Sequence, residues 1–577
     1  MKRAAIAVAI LLSAAGIAWL QTAAPAPGIA TFMPSGALLV LEAADFGRLL
    51  REWNGSKVKQ NWLASDNYAV FEQSNLFSKL GGVYKEYAAA AGFAPGLRGI
   101  GEIAGAESAL ALYGIRDVEF LYVSRVPQPQ LNGAQLWAVR GKFERREAAG
   151  TPFWLRRDRA SGRAVGFAFV RGWLIVATRD DLIARALELL AGGKEPSVAS
   201  ERWYREATAS AGAAGELRMV TNLDALVKSS YFRSYWVQRN ASVVGQFSAG
   251  IADVNRTAGE IGESRLFLRR AENPGAGPQA GDSAAVARLA AMAPDNAGLY
   301  RAWAASDAAL GAGSIVDKLI APPASSANTR TSPGAADLSR TAGTESDFET
   351  RIDEPPPPSD ATLAESAAPL RNEIEKAGLR AMLQVQSTVP APPAFVRMPC
   401  VLALSAASAW DQAGVERALT GVVEPLWTSA GMGAGWRRAS AGNASVRALD
   451  GLGKVYLAAR GNILFLANDA DLLGAVLERG AAAVAMSGTA TYAAAFRMAR
   501  ERAPYESLMT ALDFAAPVNE TEFGLAASAT RVPAFFSRNL ASLGRVLPPI
   551  SEIRVTEQDD GARVRQKIVY RTRAGRR

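Results

Sequence analysis

Short alternating or continuous apolar runs, framed by segments of helical periodicity, run the length of the chain. The first run predicts a strand at residues 37–43. A helix follows, in which Phe46, Leu50 and Trp53 recur at helical spacing. Asp45 stands directly before that helix, where an N-cap residue is expected.

Six further runs are predicted to be strands. They are residues 109–115, 120–126, 135–141, 153–157, 165–170 and 173–178. Arg171-Gly172 joins the last two in a pair typical of a tight hairpin, and a helix begins after Asp180. The hairpin strands are apolar throughout, which favours a sheet covered on both faces. Two more strands are predicted near residues 247–254 and 263–270.

The hairpin and its helix have a counterpart later in the chain. Residues 171–188 share their pattern with residues 461–478, so that Asp181 matches Asp471, 290 positions later. Near the start of the chain, Pro34 matches Pro294 at the smaller offset of 260 positions. The increase requires about 30 extra residues in the second copy.

A segment of unusual composition lies where those extra residues are needed. Residues 321–360 are rich in Ser, Thr, Pro and acidic residues, and include the run Pro355–Pro358. This composition predicts a disordered insertion. The sequence therefore predicts two diverged tandem copies, residues 30–271 and 291–577, joined by a linker at 272–290. Each copy is predicted to be α+β, with a largely antiparallel sheet and packed helices.

The first 29 residues are typical of an export signal. Met1-Lys2-Arg3 precedes residues 4–20, which are apolar apart from Ser13. Their length lies between that of a signal-peptide core and that of a short membrane span. The candidate cleavage sites are followed by Pro25 and Pro27, so a cleaved signal peptide and an uncleaved inner-membrane anchor both stay open. The protein is expected in the periplasm or another extracytoplasmic space.

The opening strand led by Pro34, the closing hairpin and the Asp-Leu-Ile-Ala-Arg-Ala-Leu helix at 181–187 carry a resemblance. Most of both copies resembles an uncharacterised family of exported bacterial envelope proteins, the domain of unknown function numbered 3352. The resemblance rests on hydrophobic patterns. It implies an envelope location and supplies no catalytic residues.

Composition narrows the chemistry. The chain of 577 residues contains no histidine, which excludes Ser-His and Cys-His nucleophiles and histidine metal sites. Its single cysteine, Cys400, excludes an intrachain disulfide and lies in an apolar run as a small buried residue would. The net charge is +9, and 52 of the 64 basic residues are Arg. We interpret this excess as coding bias, and no nucleic-acid partner is expected.

Ser56-x-x-Lys59 and Ser65-Asp66-Asn67 match the letters of the serine β-lactamase motifs. The two serines are only nine positions apart, and no Lys-Thr-Gly follows anywhere in the chain. A polar turn between helices is the better interpretation. The glycines at 99–101 and 431–435 do not fit a phosphate-binding loop and are predicted to be ordinary loops.

Other candidates also have structural interpretations. Asp180-Asp181 fits a helix start, and Asp559-Asp560 fits a hairpin turn. The tryptophans are expected in cores, with an apolar ligand groove as the alternative; examples are Trp154, Trp173 and Trp203. No catalytic, cofactor-binding or metal residue is predicted, and no cofactor.

These observations favour a non-enzymatic envelope protein that binds or scaffolds. A carrier of an apolar ligand or lipid is the first alternative, and requires an enclosed cavity. A carboxylate-based cell-wall hydrolase is the second, and requires two acidic residues facing each other across a cleft. An envelope protein or lipid is the expected partner, with the inner membrane engaged through residues 4–20 if they are retained.

Overall fold

A computed structural model describes residues 28–572, apart from the following segments: 74, 95, 116, 229–243, 273–281, 321–366, 392–394, 429–433, 452, 483–488 and 505–549. The predicted export signal up to residue 27 and the predicted insertion at 321–360 lie outside the described residues. Residues 273–281 of the predicted linker also lie outside them. The remainder of that linker, apart from Glu272, is not a linker segment but belongs to a helix, Asp282–Ala291, which buries Val286 and Leu289.

Fifteen α-helices occur in the described residues. They are α1 Phe46–Gly55, α2 Lys57–Leu63, α3 Asp66–Glu72, α4 Asn75–Ala91, α5 Leu97–Ile103, α6 Gln128–Asn132, α7 Gln135–Ala138, α8 Asp180–Leu190, α9 Arg202–Ala211, α10 Leu223–Lys228, α11 Asp282–Ala291, α12 Ala308–Ile315, α13 Ala368–Ala377, α14 Gln412–Thr428 and α15 Ala470–Ala482. Short 3-10 helices occur at Ile29–Phe32, Arg140–Lys142 and Val198–Ser200, and a π-helix at Val316–Ile320.

The strands, numbered in chain order, make two groups on either side of residue 270. The first are β1 Leu39–Ala43, β2 Ser108–Gly114, β3 Glu119–Arg125, β4 Glu144–Ala148, β5 Thr151–Arg157, β6 Ala164–Val170, β7 Trp173–Ala177, β8 Leu217–Asn222, β9 Phe247–Thr257 and β10 Glu260–Arg269. The others are β11 Leu299–Ala304, β12 Leu379–Gln386, β13 Val389–Ala391, β14 Phe395–Arg397, β15 Cys400–Ala406, β16 Gly435–Ala441, β17 Ala444–Asp450, β18 Val455–Arg460, β19 Ile463–Ala467, β20 Tyr492–Phe496, β21 Ile550–Asp559 and β22 Arg563–Thr572.

The chain forms two compact units. Unit 1 comprises the described parts of Met1–Leu50 and Gly82–Ala209, and unit 2 those of Arg51–Gly81 and Ser210–Arg577. Compact units reflect packing, whereas the predicted copies are defined by matching sequence. The predicted copy boundaries therefore stay predictions.

Unit 1 is built on an antiparallel sheet of seven strands in the order β1-β2-β3-β7-β6-β5-β4. Its core is rich in aromatic rings. Phe167 of β6 is fully buried, and its ring stacks on Trp154 of β5 with centroids 5.3 Å apart. Helix α8 covers the same sheet with Leu182, Ile183 and Leu187.

Unit 2 is built on an antiparallel sheet of thirteen strands in the order β8-β9-β10-β22-β21-β20-β11-β12-β15-β19-β18-β17-β16. Alternate residues of β19 enter two cores, Leu464 with Leu466 on one face and Ile463 with Phe465 on the other. The part of the sheet around β19 is therefore covered on both faces, as its continuous apolar sequence predicts. Helices with a large antiparallel sheet confirm the predicted α+β class.

The strand predicted at 135–141 is wrong. Helix α7 and a 3-10 turn at Arg140–Lys142 occupy this stretch. A strand would send Leu136 and Trp137 to opposite faces. The helical turn instead lets both side chains reach the same aromatic core. Tertiary packing therefore overrides the local pattern.

One other expectation also differs from the structure. Gly99 and Gly101 lie within helix α5 and not in a loop. Helix α12 begins after Asp307, whose carboxylate accepts the Ala309 and Leu310 N–H groups and so caps the helix. Asp45 is confirmed before α1, since its Oδ1 accepts the Arg48 N–H at 2.7 Å.

Candidate functional site

A groove of about 310 Å³ lies on one face of four neighbouring strands of unit 2: β9, β10, β22 and β21. Twelve residues line it: Ser210, Ala211, Ile251, Asp253, Ser264, Arg265, Leu266, Thr556, Gln558, Arg565, Gln566 and Lys567. We call it the meander groove. Its central strands, β10 and β22, are the last strands of the two predicted copies.

The strand register arranges the groove in two lateral rows. The first row runs Asp253, Ser264, Lys567, Thr556 across the four strands. The second row runs Ile251, Leu266, Arg565, Gln558. Paired residues lie on one face of a sheet, and so do residues two apart along a strand. Eight side chains therefore share this face.

The floor of the groove is apolar at one end and holds a buried ion pair at the other. Ile251 and Leu266 are 3% and 4% exposed. Asp253 accepts two hydrogen bonds from the guanidinium of Arg218 on β8, at 2.7 and 2.9 Å. The Gly215 N–H also donates to Asp253, at 3.0 Å. Because both members of the pair are buried, losing either would leave an uncompensated charge.

The rim of the groove is polar and carries cations. Lys567 is exposed and makes no ion pair with any described residue. Arg565 is 40% exposed and lies 3.2 Å from Asp560. Gln558 donates to the Thr489 hydroxyl at 2.8 Å. The rim therefore offers hydrogen-bond donors and one cation that no carboxylate of the described chain neutralises.

The lining gives the groove the means to bind an anionic group. Asp253 is the single carboxylate among the lining residues, and Arg218 already occupies both of its oxygens. Chemistry that uses two opposed carboxylates needs a second acid in the groove. Donors and a free ammonium, in contrast, match carboxylates or phosphates of a partner.

A second, open groove of about 530 Å³ lies between α13 and α14 of unit 2. Its lining combines Glu373, Glu375, Lys376 and Arg417 with the small residue Gly414. Glu373 accepts a hydrogen bond from the Lys376 ammonium at 2.7 Å. Opposite charges compensate one another within this groove, so its lining favours no ligand of one charge.

The β-lactamase-like residues serve as helix caps. Ser56 accepts the Lys59 N–H at 3.2 Å and donates to the Trp53 carbonyl, which caps α2. The Lys59 ammonium donates to Asn54 Oδ1 at 2.6 Å. Ser65 accepts the Tyr68 N–H at the start of α3. Each hydroxyl is used locally, so the predicted polar turn explains these residues.

The paired carboxylates lie where their structural interpretations place them. Asp180 and Asp181 form the first turn of α8. Asp560 accepts the Ala562 and Arg563 N–H groups in the β21–β22 turn, at 3.1 and 2.7 Å. Both predictions are confirmed.

The singled-out tryptophans and Cys400 are packed side chains. Trp173 is 7% exposed and contacts Phe32 edge-on at 5.3 Å, and Trp203 is 9% exposed. Cys400 lies in β15, where burial raises the pKa of its thiol to about 11. These residues belong to the cores, as their apolar surroundings predict. Residues 431–433 of the second glycine run lie outside the described residues.

Sequence reasoning did not find the meander groove. Its two halves lie about 300 residues apart, and the rows exist only once β10 pairs with β22. A signal was present in the alternation of Ile251 with Asp253 and of Arg565 with Lys567. Alternation indicates a face, but not which distant strand completes it.

Comparisons with known proteins assign no relative. No protein-family profile matches the chain, and no curated protein matches it. Two solved structures, crystal forms I and III of TP0453, are 10% identical to it with a TM-score of 0.24. The likeness covers 43% of this chain and 81% and 82% of those chains. A TM-score this low bears on neither fold nor function, and the predicted family resemblance stays a prediction.

None of the described helices is both long and apolar enough to span a membrane. Within the same residues, no group of three or more Cys, Asp or Glu side chains is arranged to hold a metal ion.

Proposed function

We propose that this chain is an exported envelope protein without enzymatic activity, whose duplicated α+β body binds an anionic protein partner through the meander groove. The observation that carries the proposal is the face formed by β9, β10, β22 and β21, on which the rim cation Lys567 has no ion-pair partner in the described chain. Export rests on the charged and apolar sequence of residues 1–20.

Matching strand order supports the duplication. The seven strands β1-β2-β3-β7-β6-β5-β4 correspond one to one with β11-β12-β15-β19-β18-β17-β16. Both series are antiparallel throughout. A three-stranded meander follows each, β8-β9-β10 in one case and β20-β21-β22 in the other.

Registers agree with the offsets found in the sequence. Gly166 pairs with Ala177, and Tyr456 pairs with Ala467, each residue 290 positions later. Leu39 pairs with Leu112, and Leu299, which lies 260 positions after Leu39, pairs with Gln386. A register slip of one residue would move every side chain to the other face. Such agreement favours a common origin of the two halves.

The duplication gives the groove its position. In this account β10 and β22 are equivalent strands of the two copies, and they pair antiparallel from Glu260 with Arg571 to Leu268 with Arg563. A groove across this seam draws side chains from both copies. It is therefore a feature that one copy alone does not supply.

The charge of the groove indicates which class of partner it binds. An exposed ammonium next to side-chain donors attracts carboxylates and speeds encounter with an acidic surface. The buried Arg218–Asp253 pair holds the floor fixed. A prearranged rim reduces the ordering cost of binding.

The proposal is tested by crosslinked affinity purification of the full chain from its native envelope, with Lys567→Glu as the groove variant. Lys454→Glu is the matched control, because it makes the same charge change at another exposed lysine of unit 2. We expect a stoichiometric protein partner with the parent chain and with Lys454→Glu, and its loss with Lys567→Glu.

Two results would overturn the proposal. A partner retained equally by all three chains would place the binding surface elsewhere. Specific lipid recovered without a stoichiometric protein would favour the carrier alternative. Circular dichroism of each variant is the control, and we expect it to match that of the parent chain.

A further inference from the structure

The part of helix α1 that belongs to unit 2, together with helix α2, carries basic and apolar side chains remote in sequence from the meander groove. Trp53 is 45% exposed and Leu63 is 48% exposed, although both are large hydrophobic residues. Lys59 is half-buried; its ammonium donates to Asn54, the residue after Trp53, and it lies four residues before Leu63 on α2. Residues four apart share a helix face. We call Trp53, Lys59 and Leu63 the basic-aromatic row.

The charge of this segment is one-sided. Residues 51–65 contain three cations, Arg51, Lys57 and Lys59, and a single acid, Glu52. Glu52 is paired with Arg256 of β9 at 2.7 Å. The ion pair neutralises the one carboxylate of residues 51–65, which leaves this segment with a net positive charge.

Aromatic contacts next to Leu63 hold helices α2, α3 and α4 together. The Trp62 ring, next to Leu63, contacts the rings of Tyr68 and Phe71 at 6.2 and 6.4 Å. Phe77 of α4 closes the cluster, 5.4 Å from Phe71. Aromatic contacts of this kind stabilise the helices that carry them. Leu63 therefore stays exposed on a supported helix.

We propose that the basic-aromatic row contacts the surface of an anionic phospholipid bilayer. Tryptophan favours the headgroup region, leucine adds apolar burial, and lysines near an anionic surface each strengthen attachment. The row has this composition, and its charge complements such a lipid surface. The contact is peripheral, and it depends on neither the groove nor the N-terminal segment.

A local probe separates this contact from any membrane binding by residues 4–20. Leu63→Cys in the full chain is labelled with an environment-sensitive fluorophore; Cys400 is 3% exposed and buried in β15. The matched control is a label at Leu310→Cys, since Leu310 is 52% exposed on α12 and flanked by Asp307 and Asp317. Vesicles contain equal parts of phosphatidylglycerol and phosphatidylcholine, or phosphatidylcholine alone.

We expect the label at 63 to shift to the blue and to be quenched by nitroxide lipids on the anionic vesicles only. The label at 310 should keep its emission in water. Lys57→Gln with Lys59→Gln should reduce the vesicle partition coefficient reported by the label at 63 about 25-fold, the scale of two interfacial lysines.

Several outcomes would overturn the inference. One is a label at 63 that stays in water while the chain sediments with the vesicles. Another is an equal response at 63 and 310, or on neutral lipid. A third is shielding at 63 by envelope protein but not by lipid vesicles, which would assign the row to a protein contact. None of these results bears on the groove, whose test uses Lys567.

Discussion

The β6–β7 hairpin of unit 1 and the β18–β19 hairpin of unit 2 share one register but differ in what packs against them. Phe167 and Leu457 are equivalent positions in the proposed alignment of copies. Phe167 stacks on Trp154. At the position equivalent to Trp154, unit 2 has Arg447, which pairs with Leu457 across the strands and forms an ion pair with Glu416. The two hairpins have the same strand pairing, but the side chains that pack on them differ.

In the proposed alignment of copies, the strand register is the same in both hairpins while the chemistry of the side chains differs. A sheet position tolerates an aromatic stack or an aliphatic residue beside an ion pair, provided that the space is filled.

Phe167→Ala should have the largest effect, because it empties a fully buried position and ends the stack on Trp154. We expect the free energy of unfolding to fall by about 3–5 kcal/mol. Phe167→Leu, which installs the side chain found at Leu457, should cost about 1–2 kcal/mol. Urea unfolding followed by tryptophan fluorescence measures both. Equal losses for the two variants would show that the positions are not interchangeable.

Gly474→Ala should have the second-largest effect. The sign of its change in unfolding free energy distinguishes a steric clash from a gain in helix propensity. A Cβ there would lie 2.7 Å from the Gly442 nitrogen and 2.9 Å from the Ala441 carbonyl carbon, both backbone atoms. We expect a loss of about 1–3 kcal/mol. In an unobstructed helix the same change would stabilise by about 1 kcal/mol.

Unit 1 supplies the control for this change. In the proposed alignment Ala184 of α8 is equivalent to Gly474, and Ala184→Gly should cost only about 1 kcal/mol, the helix propensity difference. Thermal and urea unfolding of both variants test the pair. A more stable Gly474→Ala chain would contradict the close approach of α15 to the β16–β17 turn.

Removing the ion pair between Arg447 and Glu416 should have a smaller effect on the free energy of unfolding. The guanidinium lies 3.1 and 3.3 Å from the two carboxylate oxygens, and the side chains are 30% and 17% exposed. We expect a coupling energy of about 0.5–1 kcal/mol from a double-mutant cycle with Arg447→Ala and Glu416→Ala. A coupling of zero would show that Arg447 contributes only its alkyl chain in place of the Trp154 stack.

Cys400 offers a test that leaves the chain unchanged. It is equivalent to Phe120 of unit 1 and is buried in β15. Because burial raises the pKa of its thiol to about 11, native protein should not react with a thiol reagent at pH 8, and urea-unfolded protein should react at once. The unfolded thiol loses its proton at lower pH than the native one, so this group's stabilising contribution falls as the pH rises toward 11. Rapid labelling of native protein would contradict the burial.

Local patterns predict much of this fold. The strands at 165–170 and 173–178 and the helix after Asp180 appear close to their predicted bounds, because apolar periodicity and the Arg171-Gly172 turn agree with the packing. Residues 135–141 do not, since Leu136 and Trp137 follow a shared core and not a strand face. The charged strand β4 has little apolar signal and was not predicted.

Local sequence patterns could not predict the meander groove, for a physical reason. Ser264 and Lys567 are neighbours only because β10 and β22 pair across about 300 residues. Hydrophobic alternation specifies which side chains share a face and leaves the choice of partner strand open. Ser56 and Lys59, which do resemble a motif, lie close in sequence and are explained by helix capping.

We propose that a partner in the envelope covers the meander groove, and the accessibility of thiols placed on its rim measures this cover. Thr556→Cys and Ser264→Cys place thiols on the exposed rim, and Lys454→Cys places one at an exposed site away from it. Labelling with a membrane-impermeant maleimide is compared between purified chain and native envelope preparations. We expect the two rim thiols to be labelled when purified and protected in the envelope, with Lys454→Cys labelled in both. Equal labelling of the rim thiols in both preparations would contradict the claim.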